Sequence, residues 1–313
     1  MTIRRQPRFR PRALPFTLLV LLLLGCVPTQ DYGPVVTEFQ QSSATLAQTF
    51  QTLLANANLV EYEHYIDTRT FDHRQLAPAE IDSRAVMTPE ELKLRSDAIL
   101  ALAEYTTALA TLAEGKQEAK IVQDANAAGA SFSTLSTDTQ TAASNHHLIA
   151  TAADYSGPIA AAAAAAGKIM GLIAEHRSRE AIRESIEKND PALSALFDLL
   201  AGESKDIYER QKSTRHAQGG PLFKEYNLEI TKATPDKEYL LGLSDRIKQF
   251  RRDQALIAQA NPEPAILAFK KSHDALIALI LAPKNAKPQS LAQLVASVRS
   301  FAVEVQSLSA STK

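Results

Sequence analysis

The sequence predicts an all-α protein, an elongated antiparallel helical bundle of about seven or eight helices. Apolar residues recur at steps of three and four along much of the chain, which is the spacing of one face of an α-helix. Several of these stretches begin with a capping residue or a proline. Alanine and leucine dominate, tryptophan is absent and the 313 residues include only 11 glycines, so the composition also favours helix over sheet.

The first helix is predicted from a narrow stripe of apolar or small residues near the start of the chain. Its members alternate steps of three and four, as in the seam of a coiled coil or bundle. They are Val36, Phe39, Ser43, Leu46, Phe50, Leu53 and Ala57. The stretch that follows, Asn58 to Met87, is less periodic and contains Pro78, so it is predicted as a long functional loop with room for a short helix.

A clear helix start lies at Thr88. Thr88 is a favourable N-cap, Pro89 suits the first helical position, and the acidic residues behind it stabilise the positive end of the helix dipole. This helix is predicted to end at Gly115. Helical sequence of lower propensity follows from 116 to 154, with a kink or break expected near Gly129.

The most distinctive stretch is predicted as one helix from Pro158 to Asp190. Its first half is almost entirely alanine and other small or apolar residues, so we expect it to be buried, whereas the charged second half is expected to face water. Gly167 and Gly171 form a small-xxx-small step that lets helices approach closely. Pro191 is expected to begin the next helix.

Gln218–Pro221 is the strongest candidate for a linker or sharp turn, because two glycines and a proline follow one another there. The predicted organisation is therefore a signal segment at 1–25, a helical bundle domain at 26–217 and C-terminal helices at 218–313 packed on the same bundle. Two of these helices are predicted after Thr234 and from Pro264 to Leu281. The last one would turn Leu291, Leu294, Val298, Phe301, Val305 and Leu308 inward.

The N-terminal segment has the layout of a secretory signal. Five arginines and no acidic residue precede the apolar run Phe16 to Leu24. At ~1.5 Å per residue, this run is much shorter than the ~30 Å hydrocarbon core of a bilayer, which indicates a signal-peptide core and not a spanning helix. The run ends in Leu23, Leu24, Gly25 and Cys26.

This ending resembles the lipobox of bacterial lipoproteins. The resemblance implies that the signal is cut before Cys26, and that Cys26 then carries a diacylglycerol and an amide-linked acyl chain such as palmitate. A multiply acylated cysteine holds a protein on a bilayer without a spanning helix. Val27 follows the cysteine, and in the sorting pattern that the resemblance implies, a residue other than aspartate at this position favours the outer membrane over retention in the inner one. The expected location is therefore the bacterial outer membrane, with the body facing the periplasm.

Charge and cysteine content agree with this expectation. Removal of residues 1–25 takes away five arginines and leaves 29 basic against 35 acidic residues, a formal charge of minus six. An acidic body argues against nucleic acid as a partner, because phosphates require a basic surface. Cys26 is the only cysteine, so its acylation would leave no thiol to react in an oxidising compartment.

One short segment contains residue types that bind metals. Glu61 and His64 would share a helix face in the Glu-x-x-His spacing of carboxylate-bridged di-iron bundles, and His73 follows nearby. Such a site needs a second copy of the motif, and no other histidine has a glutamate three residues before it. Nucleophile-elbow, phosphate-loop and zinc-protease spacings are absent from the sequence as well. We therefore expect no catalytic residue, cofactor or metal; Glu61, His64 and His73 are the only candidate metal ligands.

The leading functional hypothesis is a non-enzymatic lipoprotein whose helices form an interaction or structural scaffold in the cell envelope. Its expected partners are the lipid bilayer, through Cys26, and an envelope protein that the sequence does not identify. One alternative is a ligand- or metal-binding bundle that uses the region from Glu61 to His73. Another is a membrane-active protein in which the alanine-rich helix inserts into a bilayer.

Overall fold

The computed structural model describes residues 33–114, 118–142, 152–175, 177 and 179–281, with positions 293, 295–297, 299, 300, 303 and 306. Between 33 and 281, these residues form eight helices and no strand, which confirms the all-α prediction. The helices are α1 (Gly33–Phe71), α2 (Pro78–Asp82), α3 (Pro89–Glu114), α4 (Glu118–Ala142), α5 (Ala152–Ala174), α6 (Arg179–Ile230), α7 (Lys237–Ile257) and α8 (Glu263–Leu281). The signal segment, Cys26, Gly115 and the apolar positions of the predicted last helix lie outside the described residues.

Helix α1 is longer than its stripe predicted. The described side chains of the stripe, from Phe39 to Ala57, are buried as expected, but the helix continues to Phe71. The prediction of a loop is therefore wrong for residues 58–71. Buried Asn58 instead holds the end of the loop that precedes α3. Its Oδ1 accepts from the Val86 and Met87 amides at 2.8 and 3.0 Å, and its Nδ2 donates to the Met87 carbonyl at 2.7 Å.

The predicted start of α3 is confirmed by a complete capping box. The Glu91 amide donates to the Thr88 hydroxyl at 3.2 Å, and the Thr88 amide donates to the Glu91 carboxylate at 2.8 Å. The next helix, α4, runs without interruption through Gly129, so the predicted break there is wrong. Nothing lies within 4 Å of the position that a Gly129 Cβ would occupy.

The core forms where helices α1, α3, α6 and α8 pack against one another, while α4 and α5 extend the bundle beside α3 and α6. Phe269 of α8 links two sides of this core. Its ring lies 5.9 Å from that of Phe39 on α1 and 5.0 Å, edge to face, from that of Phe197 on α6. Burial of aromatic side chains therefore joins α1, α6 and α8 at this point of the core.

The alanine-rich stretch forms α5, which begins before Pro158 and ends at Ala174, so the single helix predicted from Pro158 to Asp190 is wrong. The expectation that its first half is wholly buried is also wrong. One face packs inward through Ile159, Ala162, Ala165, Ala166, Ile169 and Met170, while Ala160, Ala161, Ala164, Gly167 and Lys168 are exposed. By length and composition alone, Gly157–Ala174 could cross a membrane; its mean hydropathy is 1.5, and 39% of it is buried.

Helix α6 continues for 52 residues through both sites where breaks were predicted. Pro191 lies inside it, flanked by buried Ile186 and Leu193, because packing on both sides outweighs the hydrogen bond that proline cannot donate. The predicted turn at Gln218–Pro221 is helical too. Gly219 has a packing role there, since a Cβ on it would lie 2.5 Å from the Phe250 ring of α7.

Candidate functional site

Three acidic residues of the segment from Glu61 to His73 lie on the last turns of α1 and pair with cations of α6 and α7. Glu61 accepts from Arg210 Nε at 2.9 Å and from the Thr214 hydroxyl at 2.8 Å. Two further ion pairs continue this contact: Glu63 with Arg215 at 2.7 Å, and Asp67 with Arg246 at 2.8 Å. These carboxylates therefore join helices to one another.

The structure does not bring Glu61, His64 and His73 together as a metal site. His64 is partly buried and its Nδ1 has no hydrogen-bond partner in the described part of the chain. His73 is exposed after the end of α1, with a positive φ of 53°. Among the described residues, no group of three or more His, Cys, Asp or Glu side chains is arranged to hold a metal ion.

A furrow runs between α1 and α7, with α6 as its floor. It consists of two adjoining hollows that share Arg215 and Asp253. The first, of about 230 Å³, is lined mainly by aliphatic side chains: Leu53, Leu59, Val60, Leu256, Ile257 and Ala260. The second, of about 140 Å³, is lined mainly by polar ones: Asp67, Gln218, Arg246 and Gln249, with Leu222 and Phe250. We call this feature the α1–α7 furrow.

The furrow presents apolar side chains to solvent from both of its banks. Leu59 of α1 is 49% exposed and Leu256 of α7 is 44% exposed. Large apolar side chains exposed in the same concave surface are typical of binding sites, whereas single ones scattered over a surface are ordinary. The furrow is therefore a candidate binding surface, with apolar side chains exposed on both of its banks.

A buried charge centre joins α3 to α6. Arg95 and Glu203 form a bidentate ion pair, and Arg95 also donates to the Glu91 carbonyl at 3.1 Å. Burial raises the pKa of Glu203 to about 7, although the Arg95 guanidinium acts in the opposite direction. The centre is closed to solvent, so it can hold helices in register but cannot receive a substrate.

A second polar centre lies in the core around His273 of α8. The imidazole ring lies between those of Tyr105 and Phe197, at centroid distances of 5.8 and 5.2 Å. Its Nε2 is 3.4 Å from Asp190 Oδ1, and its Nδ1 is 3.5 Å from Asp274 Oδ1. Both ring nitrogens, Tyr105 Oη and Asp190 Oδ1 are buried with no hydrogen-bond partner among the described residues.

Burial disfavours the charged forms of Asp190 and Tyr105. It raises the pKa of Asp190 and, together with the Asp190 charge, raises the pKa of Tyr105 well above its usual value. His273 is fully buried, so this centre also lacks access for a substrate. It brings polar groups of α3, α6 and α8 to one point in the core.

Sequence reasoning missed both buried centres and the furrow. Arg95 gave one usable signal: it lies four residues after Glu91 and four before Ile99, inside the stripe that faces the core. His273 gave a similar signal between Phe269 and Leu276. The furrow gave none, because its banks are about 200 residues apart in the sequence.

Comparison with known proteins adds no further assignment to these sites. No protein-family model, curated protein or solved structure matches this chain.

Proposed function

We propose that the chain is a lipid-anchored lipoprotein of the bacterial outer membrane, facing the periplasm, and that its bundle is a non-enzymatic scaffold which binds another envelope protein. The sequence Leu23 to Cys26, behind a cationic segment and a short apolar run, supports the anchor. The observation that carries the scaffold is the α1–α7 furrow, because Leu59 and Leu256 face solvent from its two banks.

The described geometry gives more support to binding than to catalysis or metal chemistry. Both buried polar centres are closed to solvent, and Glu61, the first of the metal candidates, is already bonded to Arg210 and Thr214. The furrow, in contrast, is open and lies between two helices that the Asp67–Arg246 ion pair connects.

The anchor is tested by replacing Cys26 with alanine in cells that are fed a labelled fatty acid. We expect the wild-type chain to carry the label and to sediment with outer membranes, and the Cys26→Ala chain to lose the label. An unlabelled wild-type chain, or a Cys26→Ala chain that still matures and fractionates normally, contradicts the anchor.

The scaffold is tested in the same cells by a photo-crosslinking amino acid placed at Leu59. We expect one discrete adduct with another envelope protein. The matched control is Leu100 of α3, which is 37% exposed and does not line the furrow. Equal adducts from both positions, or none from Leu59, contradict the scaffold.

A second candidate, direct action on a bilayer, is favoured by one observation. Helix α5 is apolar enough to cross a membrane, and much of its alanine face is exposed. This candidate predicts that the purified Cys26→Ala chain releases dye from liposomes, and that Ala164→Glu on the exposed face abolishes the release. Intact liposomes would discard it.

A further inference from the structure

The furrow has the dimensions of a seat for one helix. Its lining on α7 extends from Arg246 to Ala260 just beyond the helix end, which is about 21 Å at ~1.5 Å per residue. That length corresponds to about four helical turns. Its two hollows are each smaller than the ~300 Å³ at which pockets begin to enclose a drug-sized molecule, so they suit single side chains projecting from a larger partner.

The apolar half of the furrow indicates that one end of the partner should carry aliphatic side chains. Leu59 and Leu256 face the hollow from opposite banks, above the buried side chains of Leu53 and Val60. An amphipathic helix fills such a groove with aliphatic anchors at helical spacing. A polar or charged segment would leave these leucines in contact with unpaired polar groups.

The polar half of the furrow indicates the charge that a bound partner should carry. Its two arginines are already paired on the α1 side, Arg215 with Glu63 and Arg246 with Asp67. Asp253 lines both hollows and accepts a hydrogen bond from Gln249 at 2.7 Å, but no cationic side chain among the described residues lies within ion-pairing distance of it. The central carboxylate of the furrow is therefore open to a cation supplied by a ligand.

We propose that the α1–α7 furrow receives a basic amphipathic helix of a partner protein, which packs aliphatic side chains on Leu59 and Leu256 and places a lysine or arginine against Asp253. This inference rests on the proposed function as a scaffold and names the chemistry of its partner. The leucines supply contact area, and the carboxylate selects the charge of the partner and its register along the furrow.

The test uses two labelled helical peptides of about 15 residues with the same leucine face, one carrying lysines and the other glutamates on its polar face. Fluorescence anisotropy reports their binding to the purified chain held in nanodiscs of zwitterionic lipid. Empty nanodiscs give the contribution of the lipid. We expect the basic peptide to bind the chain at least tenfold more tightly than the acidic one.

Two variants connect this binding to the furrow. Asp253→Asn is expected to weaken binding of the basic peptide about fivefold, as for a partly exposed ion pair. The matched control, Asp245→Asn, changes a 76% exposed carboxylate that is on the same helix but outside the furrow, and it should leave binding unchanged. Leu256→Asn removes an apolar anchor without adding a charge, and it is expected to weaken binding of both peptides.

Equal affinity for the two peptides, no binding, or equal effects of the Asp253 and Asp245 variants would overturn the proposal. The proposal would also be overturned if the chain bound protein-free vesicles and the Leu256→Asn variant did not. The furrow would then be a surface that contacts lipid. None of these results affects the labelling of Cys26 or the crosslink from Leu59, so failure of this inference and failure of the proposed function are distinguishable.

Discussion

Arg95 and Glu203, 108 residues apart in the sequence, form a bidentate ion pair between α3 and α6, with Nε–Oε2 and Nη2–Oε1 distances of 2.8 and 3.1 Å. Their side chains are only 2% and 6% exposed. Two desolvated charges gain little net stability from each other, yet either one alone in the core is costly. The pair therefore fixes the register of two helices, and it makes the stability of the bundle depend on pH.

The free energy of unfolding should rise as the pH falls from about 8 to about 5. The pKa of Glu203 is raised to about 7 in the folded chain from 4.5, so the folded state binds the extra proton between these values. Its contribution is fully present below the lower value and is lost as the pH rises through the higher one. Urea unfolding should show a gain of about 1–3 kcal/mol at pH 5 relative to pH 8.

Glu203→Gln is the control for this pH dependence, since its amide does not titrate. Its gain at low pH should be smaller than that of the wild-type chain by the Glu203 contribution. The gain in free energy of unfolding that comes from Asp190 should remain in the Glu203→Gln chain, because burial also raises the pKa of Asp190. Superimposable pH profiles for the two chains would show that Glu203 does not titrate in this range.

Removing one partner of the pair should cost much more than removing both. Arg95→Met leaves the Glu203 carboxylate buried without its cation, and we expect a loss of about 3–5 kcal/mol. The double variant Arg95→Met, Glu203→Leu replaces both charges with apolar groups and should lie within about 1–2 kcal/mol of the wild type. A double-mutant cycle from urea unfolding measures the difference, and additive losses would contradict a coupled pair.

Two adjacent glycines of α6 should respond to alanine in opposite directions. A Cβ at Gly219 meets the Phe250 ring at 2.5 Å, so Gly219→Ala should cost about 1–3 kcal/mol through overpacking. Gly220 is exposed with nothing within 4 Å of its Cβ position, so Gly220→Ala should gain up to about 1 kcal/mol from helix propensity. Thermal melting of both variants checks this, and a Gly219→Ala chain as stable as Gly220→Ala would rule out the close contact.

Asn58 should hold the loop that precedes α3. Asn58→Ala removes three hydrogen bonds to the Val86 and Met87 backbone and leaves these groups buried, a loss of about 2–3 kcal/mol. Amide hydrogen exchange should accelerate at Val86 and Met87. Asn227→Ala on the exposed face of α6 is the control and should change stability by less than about 0.5 kcal/mol. Unchanged exchange at the two amides would mean that other contacts hold the loop.

The sequence predicted those helices whose signals are local. Thr88 and Pro89 started α3 as expected, and the stripe from Phe39 to Ala57 is buried, because capping and periodicity depend only on neighbouring residues. Breaks were predicted poorly. Pro191 and Gly219 lie inside α6, since the core on either side of Pro191 and the Phe250 ring opposite Gly219 stabilise a helix that local propensity disfavours.

The candidate site depended on contacts that no local pattern reports. Glu61 and His64 have the spacing of metal ligands, but the facing helix supplies Arg210 and Thr214 to Glu61. Whether a carboxylate meets a metal or an arginine is decided by the partner helix, which lies about 150 residues further along the chain. The furrow could not be predicted from local patterns either, because it exists only where α1 and α7 flank α6 in the fold.

Gly219 has no side chain, and this determines how closely α7 approaches α6. The tip of the Phe250 ring meets bare backbone there, so α7 approaches α6 more closely at that point than a side chain at position 219 would allow. Any larger residue at 219 would act as a spacer that lifts α7 from the floor and moves it relative to α1. The size of the residue at position 219 thus controls the width of the furrow, although this buried position does not line the furrow.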